Sequence, residues 1–168
     1  MARRVFFSFH FANDFWRTQQ VRNINALEGQ TLCSPNDWEE VKRRGDAAIE
    51  NWIDEQMSGK SCIIVLVGSQ TASRPWVLRE IVKAWNGKKG VLGIRINGLK
   101  DKDGRTSAPG DNPFIKVTLA NSTKTLAEYA PLKTPSGIDS KAIYGSIADN
   151  IERWIEEAVS ARGNYPGK

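Results

Sequence analysis

Cys62-Ile63-Ile64-Val65-Leu66-Val67 is an uninterrupted, largely β-branched run, and it reads as the central strand of a sheet buried on both faces. The polar loop Gly68-Ser69-Gln70-Thr71-Ala72-Ser73-Arg74 follows and leads to Pro75, a residue suited to the first turn of a helix, here spanning about residues 76–86. Gly90-Val91-Leu92-Gly93-Ile94-Arg95-Ile96 reads as the next strand. Upstream, Ile49, Trp52, Ile53 and Met57 form a helical stripe closed by Ser58-Gly59-Lys60. Further out, Arg4-Val5-Phe6-Phe7-Ser8-Phe9-His10-Phe11 is an aromatic strand, apolar on both faces at its centre. Asn13 and Asp14 can cap a helix carrying Phe15, Trp16, Gln19, Gln20, Val21, Ile24 and Leu27, which Gly29 stops. Gln30-Thr31-Leu32-Cys33 reads as a short second strand before the turn Ser34-Pro35-Asn36-Asp37.

Beyond residue 96 the pattern loosens. Residues 97–113, rich in Gly, Asp, Lys and Pro, are too long for an ordinary connection and read as an exposed loop or functional lid. Phe114-Ile115-Lys116-Val117-Thr118-Leu119 reads as a fifth strand at an edge, and residues 121–137 suggest no element. Asp139 or Ser140 then caps a helix whose Ile143, Ile147, Ile151, Trp154, Ile155 and Ala158 share one face. Alternation of this kind predicts an α/β fold, a flavodoxin-like three-layer sandwich around a mostly parallel five-stranded sheet.

The chain has 168 residues, 40% hydrophobic and 26% charged, which suits one domain over 1–168 and excludes disordered, collagen-like and disulfide-scaffold classes. No apolar run approaches the roughly 20 residues needed to cross a bilayer. The expectation is a soluble, cytoplasmic protein without membrane contact. Cys33 and Cys62 are too few and too far apart for a zinc set, and His10 is the single histidine, so no metal site is expected. Lys and Arg number 24 against 19 Asp and Glu. Much of the excess lies in residues 86–105, where Lys88, Lys89, Arg95, Lys100, Lys102 and Arg105 face only Asp101 and Asp103. A nucleic-acid binder more often carries a longer basic stripe with interleaved aromatics, so solvated loop charge is the favoured account.

In such sheets ligands bind at the carboxyl ends of the strands, beside the reversal of strand order. The loops after the first and third strands, residues 8–14 and 68–76, compete for that place. Neither contains GxGxxG or GxxxxGK[ST], which argues against hydride transfer and ATP hydrolysis. On the third helix, Val77, Leu78, Ile81, Val82, Ala84 and Trp85 form the apolar arc, with Glu80 at its border and Arg79 and Lys83 on the far side. A carboxylate there can be partly desolvated yet open to a cleft. On spacing alone, an ordinary boundary glutamate near a helix start is the commoner reading.

Four stretches taken together resemble bacterial TIR-like proteins, and more narrowly the ThsB family of Thoeris anti-phage defence. They are Arg4-Val5-Phe6-Phe7-Ser8-Phe9-His10, Gly68-Ser69-Gln70-Thr71, Arg74-Pro75-Trp76-Val77-Leu78-Arg79-Glu80-Ile81 and Asn112-Pro113-Phe114. The likeness covers about residues 1–114 by order and spacing. It implies cleavage of the nicotinamide–ribose bond of NAD, taken as substrate with no resident cofactor, and release of a cyclic ADP-ribose-type signal to a partner effector. Trp76-x-x-x-Glu80 matches the family's helix motif, whose glutamate is catalytic. The same resemblance points to Ser8, Phe9, His10, Trp38, Ser69 and Trp76 as nucleotide-binding candidates, and leaves Arg95 or Lys100 to meet a diphosphate. Blander roles stay open for several: a hydrogen-bonded strand-end histidine for His10, a packing ring for Trp38, a buttress for Trp76, helix caps for Asn13 and Asp14. TIR sites are often completed by a neighbouring subunit, so a homo-oligomer is among the assemblies implied. The alternative function is a non-catalytic TIR-like interaction module.

Overall fold

The computed structural model describes residues 4–24, 28–29, 40–120 and 122–166. Its strands are β1 (Arg4–Ser8), β2 (Glu28–Gly29), β3 (Cys62–Val67), β4 (Gly90–Arg95) and β5 (Leu132–Lys133). The longer helices are α1 (Phe11–Arg22), α2 (Asp46–Met57), α3 (Pro75–Asn86) and α4 (Ser140–Asn164). The strands form one sheet in the order β2-β1-β3-β4-β5, and every pairing is parallel. Strand order reverses between β1 and β3, the flavodoxin-like arrangement expected from the alternation.

Every residue of β3 is buried, because side chains alternate between two covered faces. On one face Val5, Phe7, Ile64, Leu66, Leu92 and Ile94 meet α1 and the Ile147, Ile151, Trp154, Ile155, Ala158 stripe of α4. On the other, Phe6, Ile63, Val65, Val67 and Val91 meet Ile49, Ile53 and Met57 of α2 and Val77, Ile81, Ala84 and Trp85 of α3. Asp139 caps α4, its carboxylate accepting from the Ala142 N–H at 2.8 Å. No helix among the described residues is long and apolar enough to cross a membrane.

Three expectations need correction. The edge strand is Leu132–Lys133, paired with Gly93–Ile94, and not residues 114–119. Pro113 opens a 3₁₀ turn through Lys116, Asn112 Oδ1 accepts from the Phe114 N–H at 2.9 Å, and the Phe114 ring is fully buried. Gly93 makes room for that ring: a Cβ there would lie 3.0 Å from Phe114 Cε2 and 2.8 Å from Leu132 Cδ1. Second, α1 ends at Arg22, and Gly29 belongs to β2. Third, Trp16 is exposed, while Asp14, Phe15, Arg17, Thr18 and Val21 make the buried side of α1. The expected strand at residues 30–33 lies outside the described residues.

Candidate active site

The strand period of two decides which β1 side chain meets α3. Phe6 enters the α2–α3 layer and Phe7 the opposite one. Ser8, in step with Phe6, therefore projects toward α3 at the carboxyl end of the strand. Its hydroxyl donates to Glu80 Oε1 at 2.7 Å, across 72 residues of sequence. The buried arc of α3 comprises Val77, Glu80, Ile81, Ala84 and Trp85, whereas Val82 is exposed. Burial is thus rotated toward Glu80 relative to the apolar pattern, and this carboxyl is only 8% exposed. Burial pushes it up to about 8 from an ordinary 4.5, with the Ser8 hydrogen bond opposing the rise. Arg79 and Lys83, on the far side as expected, pair with Glu50 of α2, and Lys83 also with Asp54.

The loops after β1 and β3 meet beside this pair. His10 is buried, and its Nε2 lies 3.2 Å from Arg74 Nη1 at the start of α3. Burial and the adjacent guanidinium hold the imidazole below its usual range. Asn13 Nδ2 donates to Gln70 Oε1 at 3.0 Å. The turn after β3 is closed by Thr71, whose Oγ1 accepts from the Gly68 N–H at 2.8 Å. His10, not Asn13 or Asp14, is the N-terminal flanking residue of α1, and the Asp14 side chain does not cap it. Asp14 is 1% exposed and accepts from Arg17 Nη1 at 2.8 Å. Burial pushes its carboxyl up, and the Arg17 contact opposes this. The carboxylate sits where a side chain on Gly68 would be: a Cβ there would lie 2.2 Å from Asp14 Oδ2. Gly68→Ala should accordingly cost about 1–3 kcal/mol through forced displacement of a buried ion pair. Urea unfolding midpoints of the two proteins check this, and equal midpoints would refute it.

Arg17, only 4% exposed, ties the long loop over residues 97–113 to α1. Its Nε donates to the Leu99 carbonyl at 2.7 Å and its Nη2 to the Arg105 carbonyl at 2.9 Å. The loop also turns on Asp101, whose Oδ1 accepts from the N–H groups of Asp103 and Arg105. Gly110 packs against the loop after β3: a Cβ there would lie 2.2 Å from the Gly68 carbonyl oxygen. The segment is a strap fastened across the carboxyl ends of the strands.

Of the expected nucleotide contacts, Ser8 and Glu80 touch and His10 stands in the same strand-end region. Phe9 is half-buried against the α1–α4 layer and stacks on Phe11 at 5.7 Å between centroids. Ser69, half-buried, lies in the loop beneath Gly110. Trp76 packs against the α2–α3 layer with the Arg79 guanidinium 4.8 Å from its ring centroid, the surroundings of a buttress. Trp38 lies outside the described residues. Arg95 Nη1 donates to the Gly110 carbonyl at 2.5 Å, and Lys100 is exposed. The basic excess of 86–105 is divided: Lys88 and Lys89 precede β4, Arg95 ends it, and Lys89 Nζ donates to the Lys60 carbonyl.

Three residues join the site with no motif to mark their roles: Asp14 as an ion-pair partner, Arg17, and Arg74. Asp14, Arg17, Thr18 and Val21 stand at i, i+3, i+4 and i+7, the core-facing spacing of a helix. Charged residues on that stripe were the available signal.

The model of the family described as Thoeris protein ThsB, TIR-like domain, matches residues 6–101. The chain is also 40% identical over 121 residues to a protein of Bacillus cereus (strain MSX-D12) named "Putative cyclic ADP-D-ribose synthase ThsB1". That likeness covers 68% of this chain and 62% of the relative.

Proposed function

The chain belongs to the family of TIR-like domains of the Thoeris protein ThsB, and from that membership we propose that it cleaves NAD and releases a cyclic ADP-ribose-type signal. The observation that carries the proposal is the buried Glu80 carboxyl, held by Ser8 beside the reversal of strand order. Glu80 is the catalytic residue of this reading, with Ser8, Phe9, His10, Trp38 and Ser69 as nucleotide contacts and Trp76 as the buttress of its helix. The product acts on a separate effector protein.

One carboxylate suffices for the bond-breaking step. The C1′–N bond breaks with its electron pair passing to the pyridinium nitrogen, so nicotinamide leaves neutral and no general acid is required. Positive charge moves to the ribose as an oxocarbenium-like centre, which ionised Glu80 stabilises through a poorly screened field. Water then gives ADP-ribose and an internal hydroxyl a cyclic product, each losing its proton to solvent, whereas an adenine ring nitrogen closes the cycle through its lone pair with no proton to lose. Exclusion of water from the reacting centre favours the second course.

Glu80 holds its proton at neutral pH in the free protein, because its carboxyl is pushed up to about 8. The pyridinium of the bound substrate, placed beside Glu80, opposes that rise by its charge. The rate at low NAD should therefore climb with pH toward about 8, while the saturated rate levels off at lower pH. Ser8→Ala removes a donor that favours the ionised form. It should shift the rising limb to higher pH and lower nicotinamide release at pH 7 by about tenfold. Chromatographic assay of nicotinamide across pH 6–9 checks this, and an unchanged profile would reject the Ser8 role. Wild type against Glu80→Gln in the same assay tests the whole reading.

A further inference from the structure

His10 is the single histidine of the chain, and its two ring nitrogens stand in unlike surroundings. Nε2 faces Arg74 Nη1 at 3.2 Å, while Nδ1 is buried without a hydrogen-bond partner among the described residues. A guanidinium has donors only, so the nitrogen facing it must offer a lone pair. The imidazolium ion and the Nε2–H tautomer are both excluded by that contact. The remaining form carries its proton on Nδ1, where the described residues supply no acceptor. Leaving a buried donor unsatisfied is costly, so this N–H calls for a partner from outside the chain. His10 flanks the N-terminus of α1 without its side chain accepting from that helix, as an Nδ1–H ring requires.

We propose that Arg74 is a positioning residue that fixes His10 as a neutral Nδ1–H donor reserved for an oxygen of the bound nucleotide. The assignment rests on the NAD reading for the identity of the ligand, but not for the tautomer. A neutral donor suits the proposed chemistry: an imidazolium at this place would repel both the pyridinium of the substrate and the charge developing on the ribose.

The test is a long-range proton–nitrogen spectrum of the ¹⁵N-labelled full chain, in which one histidine gives one unambiguous set of ring signals. Without substrate, wild type should show Nδ1 protonated and Nε2 bare at pH 7, and Arg74→Met should release the proton to Nε2. Protonated Nε2 in wild type, or an Arg74→Met spectrum identical to it, overturns the tautomer lock. NAD added to the Glu80→Gln protein should move the Nδ1–H proton to lower field. An unmoved Nδ1–H signal, whether or not other resonances respond, overturns the donor role. In the nicotinamide assay Arg74→Met should lower kcat/KM about tenfold, mainly through KM, and Arg74→Lys should restore most of it. An unchanged KM for Arg74→Met also counts against the donor role. Failure of wild type to cleave NAD would reject the NAD reading, while the substrate-free spectrum still decides the tautomer.

Discussion

Glu80→Gln is expected to abolish nicotinamide release and, at the same time, to make the protein more stable above pH 8. Glutamine keeps the shape and still accepts the Ser8 hydrogen bond, but it carries no charge to set against an oxocarbenium-like ribose. Loss of a preorganised electrostatic group of this kind costs about 10²–10³ in rate or more. The stability gain follows from where Glu80 sits. Its carboxyl ionises near 4.5 when unfolded and at about 8 when folded. Between those values the unfolded chain has already released the proton and the folded protein still holds it, so folding stability falls as pH rises through this window. Glutamine does not titrate and escapes that loss. Entry of water and local relaxation moderate the effect to the order of 2–4 kcal/mol at pH 8.5, with almost no difference at about pH 4. Urea unfolding at the two pH values measures it. A gap that is the same at both would show that Glu80 is not a buried, proton-holding group. A variant that is inactive yet more stable at high pH would mark a site kept at the expense of stability.

Arg17→Met should be the most destabilising substitution on α1. It leaves Asp14 buried without its guanidinium and takes the donors from the Leu99 and Arg105 carbonyls at one stroke. Breaking a buried pair from one side costs about 3–5 kcal/mol. For a chain of this size that lowers the melting temperature by about 10 °C. The strap should loosen as well, so amide exchange at Asp101 and Ser107, whose N–H groups bond within the loop, should quicken ahead of global unfolding. Arg17→Met combined with Asp14→Asn should recover part of the loss, because the stranded carboxylate is then gone. Additive losses in this double-mutant cycle would refute the coupling.

The parts of the fold that could be read in advance are those with a sustained period. The six buried residues of β3, the stripes of α2 and α4, and Pro75 at the first turn of α3 each repeat or punctuate strongly enough to stand alone. The edge strand could not be read, since two residues supply no period. The apolar residues of 114–119 resemble a strand, but Phe114 is drawn into a hole left by Gly93. Within the site, Glu80 could be placed on a helix border, yet a helical wheel gives only an angle and not what covers it.

The residues alone therefore determined the alternating α/β class, the parallel sheet and the carboxylate-bearing helix, because periodicity and motif spacing are local properties. Only the tertiary structure decided that Ser8 donates to Glu80, that Glu80 is buried deeply enough to hold a proton near neutrality, and that Arg17 fastens the strap. Those outcomes depend on sheet register and on the packing of segments some 70 to 90 residues apart, which no local pattern encodes.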